Sequence, residues 1–400
     1  MNVYNTCMQP RKKIPRNVII IAFVALASGF GQDLITPVLP AFLLTLGVSR
    51  AGIGLIDGLL QGSTNLFRFI SGILSDRFAN RKRFIFLGYF LSSVSRPLLA
   101  LASGGTAVAV LRVADGVGKG TKDAPRDALI ADSAPAAGRG RAFGFQRLID
   151  TAGSVLGPLV AAGVLLMFTP SLSTYRLIFA LATIPGAIAL GLIWFGIAEP
   201  AAAARARVKI NFTFPWQFWI FTIGIALAML TKINDSLFLV RAADVGVPES
   251  LIPLLFAGFT FLYALLSYPI GIWSDRIGKL PLIAAGWLVL AAVELGFAHT
   301  TSIAAALVLF AFYGLFFALT EGSGRAFIAD LIPPESRGSA YAIFYTISGL
   351  AVVAGGYGLG KLWDQVSPQA TFTVAAAGSA AGFVILLLVA LSRRKKAVTI

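Results

Sequence analysis

The chain has 400 residues, of which 57% are hydrophobic and 13% charged, and its formal net charge is +15. A soluble domain carries about twice that share of charged residues, so part of this apolar surface must face lipid. The positive charge lies in short clusters between long apolar runs, which excludes the basic face with interleaved aromatic residues typical of nucleic-acid binding. One cysteine and one histidine exclude an internal disulfide, a cysteine-based metal cage and a multi-histidine site, and we expect no cofactor and no metal.

The apolar runs, taken in chain order, predict an all-α membrane protein with twelve transmembrane helices. A helix needs about 20 apolar residues to cross a bilayer core, and the alternating pattern of a membrane barrel is absent from the sequence. The first six runs lie near 18–46, 51–74, 84–103, 106–131, 141–168 and 175–196. The other six lie near 216–240, 251–273, 281–298, 303–330, 340–361 and 369–391.

These runs group into two six-helix bundles, predicted at 17–196 and 216–391, with a polar cytoplasmic linker at 197–215. Residues 1–16 and 392–400 are predicted to be cytoplasmic tails.

The positions of lysine and arginine predict the orientation in the membrane. An even number of spans places both tails on one side, and that side receives basic clusters at 11–16, 77–83, 139–141, 205–209 and 393–396. The opposite side receives only Arg50, Arg176, Arg241 and Lys361. Because basic residues favour the cytoplasmic side, both termini are predicted to be cytoplasmic.

The two halves of the chain repeat each other at a nearly constant offset. The segment GILSDR at 72–77 recurs as GIWSDR at 271–276, and DALIAD at 127–132 recurs as RAFIAD at 325–330. In a chain this apolar, two repeats in the same direction are typical of a pore or carrier built from two bundles. The duplicated charged turns and the charged residues near them are predicted to lie on the cytoplasmic side; they include Gly72, Asp76, Arg77, Gly271, Asp275, Arg276, Asp123, Arg126, Arg139 and Arg337.

The fourth span is the most polar. Its charged residues are three or four positions apart, which places on one helix face Arg112, Asp115, Lys119, Lys122, Asp123 and Arg126. Charges inside a membrane helix are costly and generally face a cavity or a partner helix, so Arg112 and Asp115 are predicted to face a cavity. The residues from Lys119 onward either continue this row or form the cytoplasmic end of the helix.

In the fifth span, Gly153, Gly157 and Pro158 predict close helix packing with a bend.

Acidic residues lie at matching positions on the first and seventh spans. Asp33 and Asp235 follow Gln32 and Asn234, and burial favours the protonated form of a carboxyl group, so such acids can carry protons. Lys232 is expected to keep Asp235 ionised, which favours Asp33 as the proton carrier; the alternative is a salt bridge from Asp33 to Arg112 or Arg96. The proton-coupling candidates are therefore Asp33, Arg112 and Asp115. The substrate-cavity candidates are Gln32, Arg96, Lys232, Asn234, Asp235 and Glu321. Asp57 and Glu294 are expected nearer the outer face, in structural or gating roles.

These motifs resemble the major facilitator superfamily over essentially the whole chain. Residues 72–82 are similar to that family's loop between helices two and three, and the second copy, with Gly278 and Lys279, is closer to the usual pattern. The segment RVADGVG at 112–118 resembles the fourth-helix arginine motif, which the family links to proton coupling. Residues 153–162 resemble the fifth-helix glycine–proline motif of proton-driven exporters, and residues 118–132 are similar to a prokaryotic branch of the family.

The resemblance implies two bundles that give alternating access to a central site, with a cytoplasmic gate formed by the duplicated charged turns and the charged residues near them. It also implies a place in the cytoplasmic membrane of a bacterium or archaeon. The expected function is secondary transport, with proton-coupled antiport that exports a small solute or drug-like compound. The expected partners are the lipid bilayer, a small-molecule or ion substrate and protons, with no nucleic acid, and the protein is expected to be a monomer. The alternatives are a proton-coupled importer of a nutrient, organic anion or metal chelate, and a non-transporting membrane sensor. An enzyme is not expected, because His299 stands alone rather than in a catalytic cluster.

Overall fold

The computed structural model describes residues 14–78, 80–134, 138–198, 213–333 and 336–398. Within these ranges, only the backbone is described for residues 73, 75–78, 275, 325 and 389–398. The regular secondary structure of the described residues is helical, as a chain in lipid requires when it must satisfy its backbone hydrogen bonds internally.

The first half of the chain forms eight helices that make six spans. They are α1 (Arg16–Ile35), α2 (Leu39–Thr45), α3 (Arg50–Phe78), α4 (Arg81–Leu98), α5 (Gly105–Ser133), α6 (Arg139–Met167), α7 (Leu172–Leu181) and α8 (Thr183–Gly196). The pairs α1–α2 and α7–α8 are each one interrupted span, because only a few residues separate their two pieces.

The second half forms seven helices that make the other six spans. They are α9 (Trp216–Met229), α10 (Asp235–Asp244), α11 (Ile252–Ile277), α12 (Lys279–His299), α13 (Ile303–Leu331), α14 (Arg337–Gln365) and α15 (Pro368–Val398). The predicted linker at 197–215 falls mostly outside the described residues, so the boundaries of the two bundles stay a prediction. The seventh span, predicted near 216–240, is interrupted at residues 230–234, which separate α9 from α10.

Length and composition agree with a protein that crosses a membrane. Among the described residues, nine helical segments are long and apolar enough to span a bilayer. The three further spans are α3 and α5, which carry charged side chains along their length, and the broken pair α9–α10. Large apolar side chains point outward from both bundles, and Phe195, Met167 and Tyr268 are each more than three-quarters exposed. Lipid would cover these side chains.

The internal repeat is visible in the backbone. Gly47, after α2, and Gly246, after α10, both have positive φ angles, of 74° and 104°, which favour glycine. The main contacts between bundles follow the same repeat, because α3 packs on α14 and α6 packs on α11. We call the face where α1 begins and α15 ends the basal face, and the opposite face, where α2 ends and α3 begins, the distal face.

Candidate functional site

A cavity of about 950 Å³ lies between the two bundles. At its deep end it is lined by Asp57, Asn234 and Asp235, and towards the basal face it is lined by Gly72 and Gly338. Its walls come from both halves of the chain, so neither bundle alone contains the site. This position, between two repeat-related bundles, is where carriers of this architecture bind their substrates.

The bundles meet closely at the distal face. A Cβ atom on Gly54 of α3 would lie only 2.0 Å from the carbonyl oxygen of Gly356 on α14, so the two backbones touch. Asn234 Nδ2 donates to the Gly54 carbonyl oxygen at 3.2 Å. The carboxylate of Asp364 accepts from the backbone N–H groups of Arg50 and Ala51, at 3.1 and 2.9 Å, and so caps the start of α3. The cavity is therefore closed on the distal side.

The break in the seventh span is held by a buried carboxylate. Glu294 of α12 is fully buried and accepts hydrogen bonds from the backbone N–H of Ile233 at 3.1 Å and from Ser379 Oγ at 2.6 Å. The Asn234 side chain then caps α10 by accepting from the N–H of Leu237 at 3.1 Å. A structural or gating role near the outer face was expected for Glu294. In the structure it has a structural role at the break in the seventh span.

The break presents polar side chains to the cavity. Tyr313 donates a hydrogen bond to Asp235, and Lys232 Nζ donates to the hydroxyl of Tyr313 at 3.2 Å. Lys232, Asn234 and Asp235 all line the cavity, as the sequence predicted. Lys232 and Asp235 are connected through the tyrosine, which the sequence did not indicate.

The predicted proton carrier lies behind the cavity wall. Asp33 is 6% exposed and accepts from Gln32 Nε2 at 3.2 Å and from Thr36 Oγ1 at 3.4 Å. Gln32 lines the cavity, whereas Asp33 is outside the set of lining residues. The alternative salt bridge is not formed, because Arg96 and Arg112 pair with another acid.

That acid is Asp115, at the centre of a buried cluster in the first bundle. Arg96 approaches it to 3.1 Å from α4, and Arg112 approaches it to 3.4 Å from one turn earlier on α5. Arg96 also donates to the carbonyl oxygen of Ser28 on α1 at 2.9 Å, so the cluster connects three helices. All three charged side chains are at most 3% exposed and lie outside the cavity lining. Arg112 and Asp115 had been predicted to face a cavity and Arg96 to line it, but the three side chains pair with one another instead. These side chains hold α1, α4 and α5 together around the site and do not contact a solute in the cavity.

Asp57 lines the cavity, which sequence reasoning missed. It faces the start of α10 from the opposite bundle, close to the backbone of Ser236 and the carboxylate of Asp235. A signal was available, because the cavity-lining residues of α3 recur three or four positions apart: Asp57, Gln61, Thr64, Asn65, Arg68 and Gly72. This polar stripe marks the face of α3 that turns away from lipid.

The basal end of the cavity carries a chain of ion pairs. Asp123 pairs with Arg68 of α3 and, at 3.4 Å, with Arg126, which also pairs with Asp127 at 3.0 Å. Arg68 lies over the ring of Tyr345 on α14, with 5.3 Å between the guanidinium carbon and the ring centroid, and so reaches the second bundle. The predicted gate residues Asp123 and Arg126 therefore line the cavity close to its basal opening.

Two other predicted gate residues, Arg139 and Arg337, make the same contact in the two halves of the chain. Arg139 donates to the carbonyl oxygen of Ala131 at 3.1 Å, and Arg337, its equivalent, donates to that of Ala329 at 3.1 Å. Similarly, Arg81 pairs with Asp132 as Lys279 pairs with Asp330. Gly271 and Arg276 are exposed. The side chains of Asp76, Arg77 and Asp275 lie outside the described residues.

A second bridge between bundles involves Glu321, which lines the cavity as expected. Arg147 of α6 donates to the hydroxyl of Tyr263 on α11 at 2.7 Å, and Tyr263 donates to Glu321 on α13. Arg147 also lies 4.0 Å from Asp150, three residues along its own helix.

The fifth span packs on the first through its glycines. A Cβ atom on Gly153 would lie 2.2 Å from the carbonyl oxygen of Leu26, and one on Gly157 would lie 2.4 Å from that of Phe30. Both contacts bring α6 against α1, and Pro158 is buried beside them. The segment containing Asp33 is thus held directly against α6.

Comparison with known proteins agrees with this architecture. A profile described as the Major Facilitator Superfamily matches residues 21–231 and 210–399. The chain belongs to this superfamily. It is therefore a multi-pass membrane transporter of small molecules with the twelve-helix fold of the family, and not an enzyme.

Individual proteins align with most or with part of the chain. The MFS-type transporter MJ1317 of Methanocaldococcus jannaschii is 30% identical over 374 residues, which cover 90% of this chain and 92% of that protein. The quinolone resistance protein NorA of Staphylococcus aureus is 28% identical over 143 residues, only 36% of this chain and 37% of NorA. A mutant of the nucleoside transporter NupG superposes with a TM-score of 0.76 at 15% identity, covering 94% of this chain and 99% of NupG, which shows the shared fold.

Proposed function

We propose that this transporter is a proton-coupled antiporter that exports a small solute by alternating access. The observation that carries this proposal is the cavity between the bundles, which is closed at the distal face and reaches the basal face. Opening the α3–α14 contact while closing the basal end would expose the same cavity to the other side.

The basal face is proposed to be cytoplasmic. Arg16 at the start of α1 and residues 393–396 at the end of α15 belong to this face, as do Arg81, Arg139 and Lys279, in agreement with the positive-inside tendency. The cavity would then be open to the cytoplasm and ready to receive a solute for export. We further propose that the protein works as a monomer, because both bundles that enclose the cavity come from one chain.

Export is supported by the fifth-helix motif and by the partial similarity to NorA, a quinolone resistance protein. The matching motif is also the segment that packs tightly on α1 around Gly153 and Gly157. Proton-coupled import is the competing function, and the flux experiment below decides between the two directions.

Asp33 is the proposed proton carrier, with Arg112 and Asp115 in supporting roles. Asp33 is buried beside Gln32, which lines the cavity, so a proton could reach it through a small rearrangement of one side chain. The Arg112–Asp115 pair is buried within the same bundle, and its guanidinium group attracts the carboxylate of Asp33 on α1. Asp57 is the competing acid, because it contacts the cavity directly and faces Asp235.

The charged residues of the basal end are the proposed inner gate. Asp123 and Arg126 already line the opening, and the turns that contain Asp76 and Asp275 follow α3 and α11 towards the same face. Closure of this end would bring together the ends of α3 and α14, which the cavity now separates at Gly72 and Gly338.

The test uses purified protein in vesicles that contain a pH-sensitive dye. A thermal-shift screen against drugs, sugars, amino acids, organic acids and metal chelates first supplies a solute that stabilises the protein. We expect that an imposed pH gradient drives this solute against the proton flow, and that Asp33→Asn abolishes the coupled proton movement while solute–solute exchange continues. Asp244→Asn, at the exposed distal end of α10, is the matched control and should transport normally.

Three outcomes would contradict parts of this proposal. Solute movement in the same direction as the protons would establish import. Normal proton coupling in Asp33→Asn, together with its loss in Asp57→Asn, would transfer the carrier role to Asp57. Absence of flux for every stabilising solute would favour a sensor that binds without transporting.

A further inference from the structure

Two lysine side chains on the wall of the cavity have no acidic partner of their own. Lys119 and Lys122 lie one turn apart in the middle of α5 and both line the cavity. Lys122 Nζ donates to Ser28 Oγ at 2.9 Å and lies 3.9 Å from the centre of the Tyr89 ring. Among the described residues, none forms a hydrogen bond or an ion pair with the Lys119 ammonium group. The row of charges thus continues past Asp115, and Lys119 is not at a helix end.

The surrounding charges do not neutralise these lysines. The acid that attracts Lys119 most strongly is Asp115, which already pairs with Arg96 and Arg112. Arg96, Arg112, Lys119 and Lys122 therefore face three carboxylates, those of Asp33, Asp57 and Asp115, of which Asp57 belongs to the neighbouring helix α3. Lys122 is also attracted by Asp123 and Asp150, which it shares with other cations. Nearby Asp150 pairs with Arg147, and Asp123 pairs with Arg68 and Arg126. The cluster has an excess of buried positive charge, which is costly unless an anion completes it.

The opposite wall has a different chemistry. The second bundle lines the cavity with several aromatic side chains, which include Phe221, Trp287, Phe316, Phe317, Phe344 and Tyr345. The acids on that side, Asp235 and Glu321, each accept a hydrogen bond from a tyrosine and would repel an anion, and the lysine on that side, Lys232, is joined to Asp235 through Tyr313. An anionic group in the cavity is therefore directed to the lysines, and an apolar group is directed to the aromatic wall. A volume of about 950 Å³ is large enough for a drug-sized molecule to contact both walls.

We propose that the cavity binds an amphiphilic organic anion. Its carboxylate, sulfonate or phosphate group lies between Lys119 and Lys122, and its aromatic or apolar body packs against the second bundle. This assignment rests on the proposed transport function, because it names the class of solute that the transporter would carry. Binding neutralises the excess charge on α5 and places the solute in contact with both bundles, which rearrange against each other during alternating access.

The test compares two dyes that share a ring system and differ in charge. Fluorescein is an anion and rhodamine 123 is a cation, and the binding of each to purified protein is measured by fluorescence anisotropy. We expect fluorescein to bind more tightly than rhodamine 123, and Lys119→Gln to weaken fluorescein binding about 10- to 100-fold, the range for a lost hydrogen bond to a charged group. Lys119→Arg should retain most of the affinity, and Lys361→Gln, at the exposed distal end of α14, should retain all of it.

A second measurement separates a binding lysine from a structural one. Removal of an excess buried cation relieves repulsion, so Lys119→Gln should raise the Tm of the ligand-free protein and abolish the further rise that fluorescein causes in the wild type. A lysine with only a structural role would lower the Tm when replaced. Equal affinity for the two dyes, unchanged fluorescein binding in Lys119→Gln, or a lowered Tm in that variant would each overturn the assignment.

Failure of this assignment and failure of the proposed function give different results. If a pH gradient drives rhodamine 123 but not fluorescein across vesicles, transport stands and the anion site is wrong. If fluorescein binds through Lys119 but a pH gradient drives no flux, the anion site stands and proton-coupled transport is wrong.

Discussion

The contact between Gly54 and Gly356 should control which face of the transporter is open. A Cβ atom introduced by Gly54→Ala would lie 2.0 Å from the Gly356 oxygen, whereas ordinary contacts begin at 3.4 Å, so α3 and α14 must separate by about 1.4 Å. Such a shift breaks the hydrogen bond from Asn234 to the Gly54 carbonyl and the two from α3 to Asp364. At about 1 kcal/mol each, these bonds contribute about 3 kcal/mol to distal closure. The ratio of closed to open molecules should therefore fall roughly 100-fold.

Pulsed electron resonance between spin labels measures this shift. Labels at Ser49 and Gln369 report the distance between the bundles across the distal face, in a protein whose Cys7 is replaced by serine. We expect a longer distance in Gly54→Ala than in the parent protein. The matched control is Gly358→Ala, because a Cβ atom there meets nothing within 4 Å although the residue is on the same helix as Gly356. An unchanged distance in Gly54→Ala, or an equal change in Gly358→Ala, would refute the assignment of this contact as the distal closure.

Two further predictions concern stability, and both are read from thermal unfolding in detergent. Gly153→Ala should destabilise the protein by about 1–3 kcal/mol, because the new methyl group would lie 2.2 Å from the Leu26 oxygen. Gly163→Ala, on the same helix but facing open space, should have little effect, and equal losses in the two variants would contradict this packing. Glu294→Ala should cost more than Ser379→Ala, because it leaves both Ser379 and the backbone N–H of Ile233 without their acceptor, at about 1–3 kcal/mol for each buried group. A larger loss in Ser379→Ala would show that Glu294 does not hold the break in the seventh span.

The sequence was informative about the predicted site wherever the signal was a repeat or a spacing. The equivalence of Asp132 and Asp330 was visible in the sequence. In the structure each acid forms an ion pair with a basic residue at the start of the helix that follows a charged turn. The residues at the break, Asn234 and Asp235, were also expected in the cavity and line it. The break itself was not expected, because the apolar residues on both sides of 230–234 form one continuous hydropathy signal.

The sequence was less informative about the direction of individual side chains. Asp33 and Asp57 are both acids in apolar helices, and hydropathy treats them alike. Only the packing of α1 against α6 places Asp33 behind the wall, and only the rotation of α3 against α14 turns Asp57 to the cavity. The pairing of Arg96 with Asp115 likewise depends on the crossing of α4 and α5, which residues 19 positions apart in sequence do not reveal.

The amino-acid sequence by itself determined twelve membrane-spanning segments, their duplication and the family, because span length and repeat period can be read directly from the order of residues along the chain. The tertiary structure alone decided that Lys119 reaches the cavity without an acidic partner, while Arg112, two turns earlier on the same helix face, is neutralised. The reason is physical: the free energy of a buried charge depends on the distances to all neighbouring charges. In a helical bundle those neighbours are supplied by helices that are distant in the sequence.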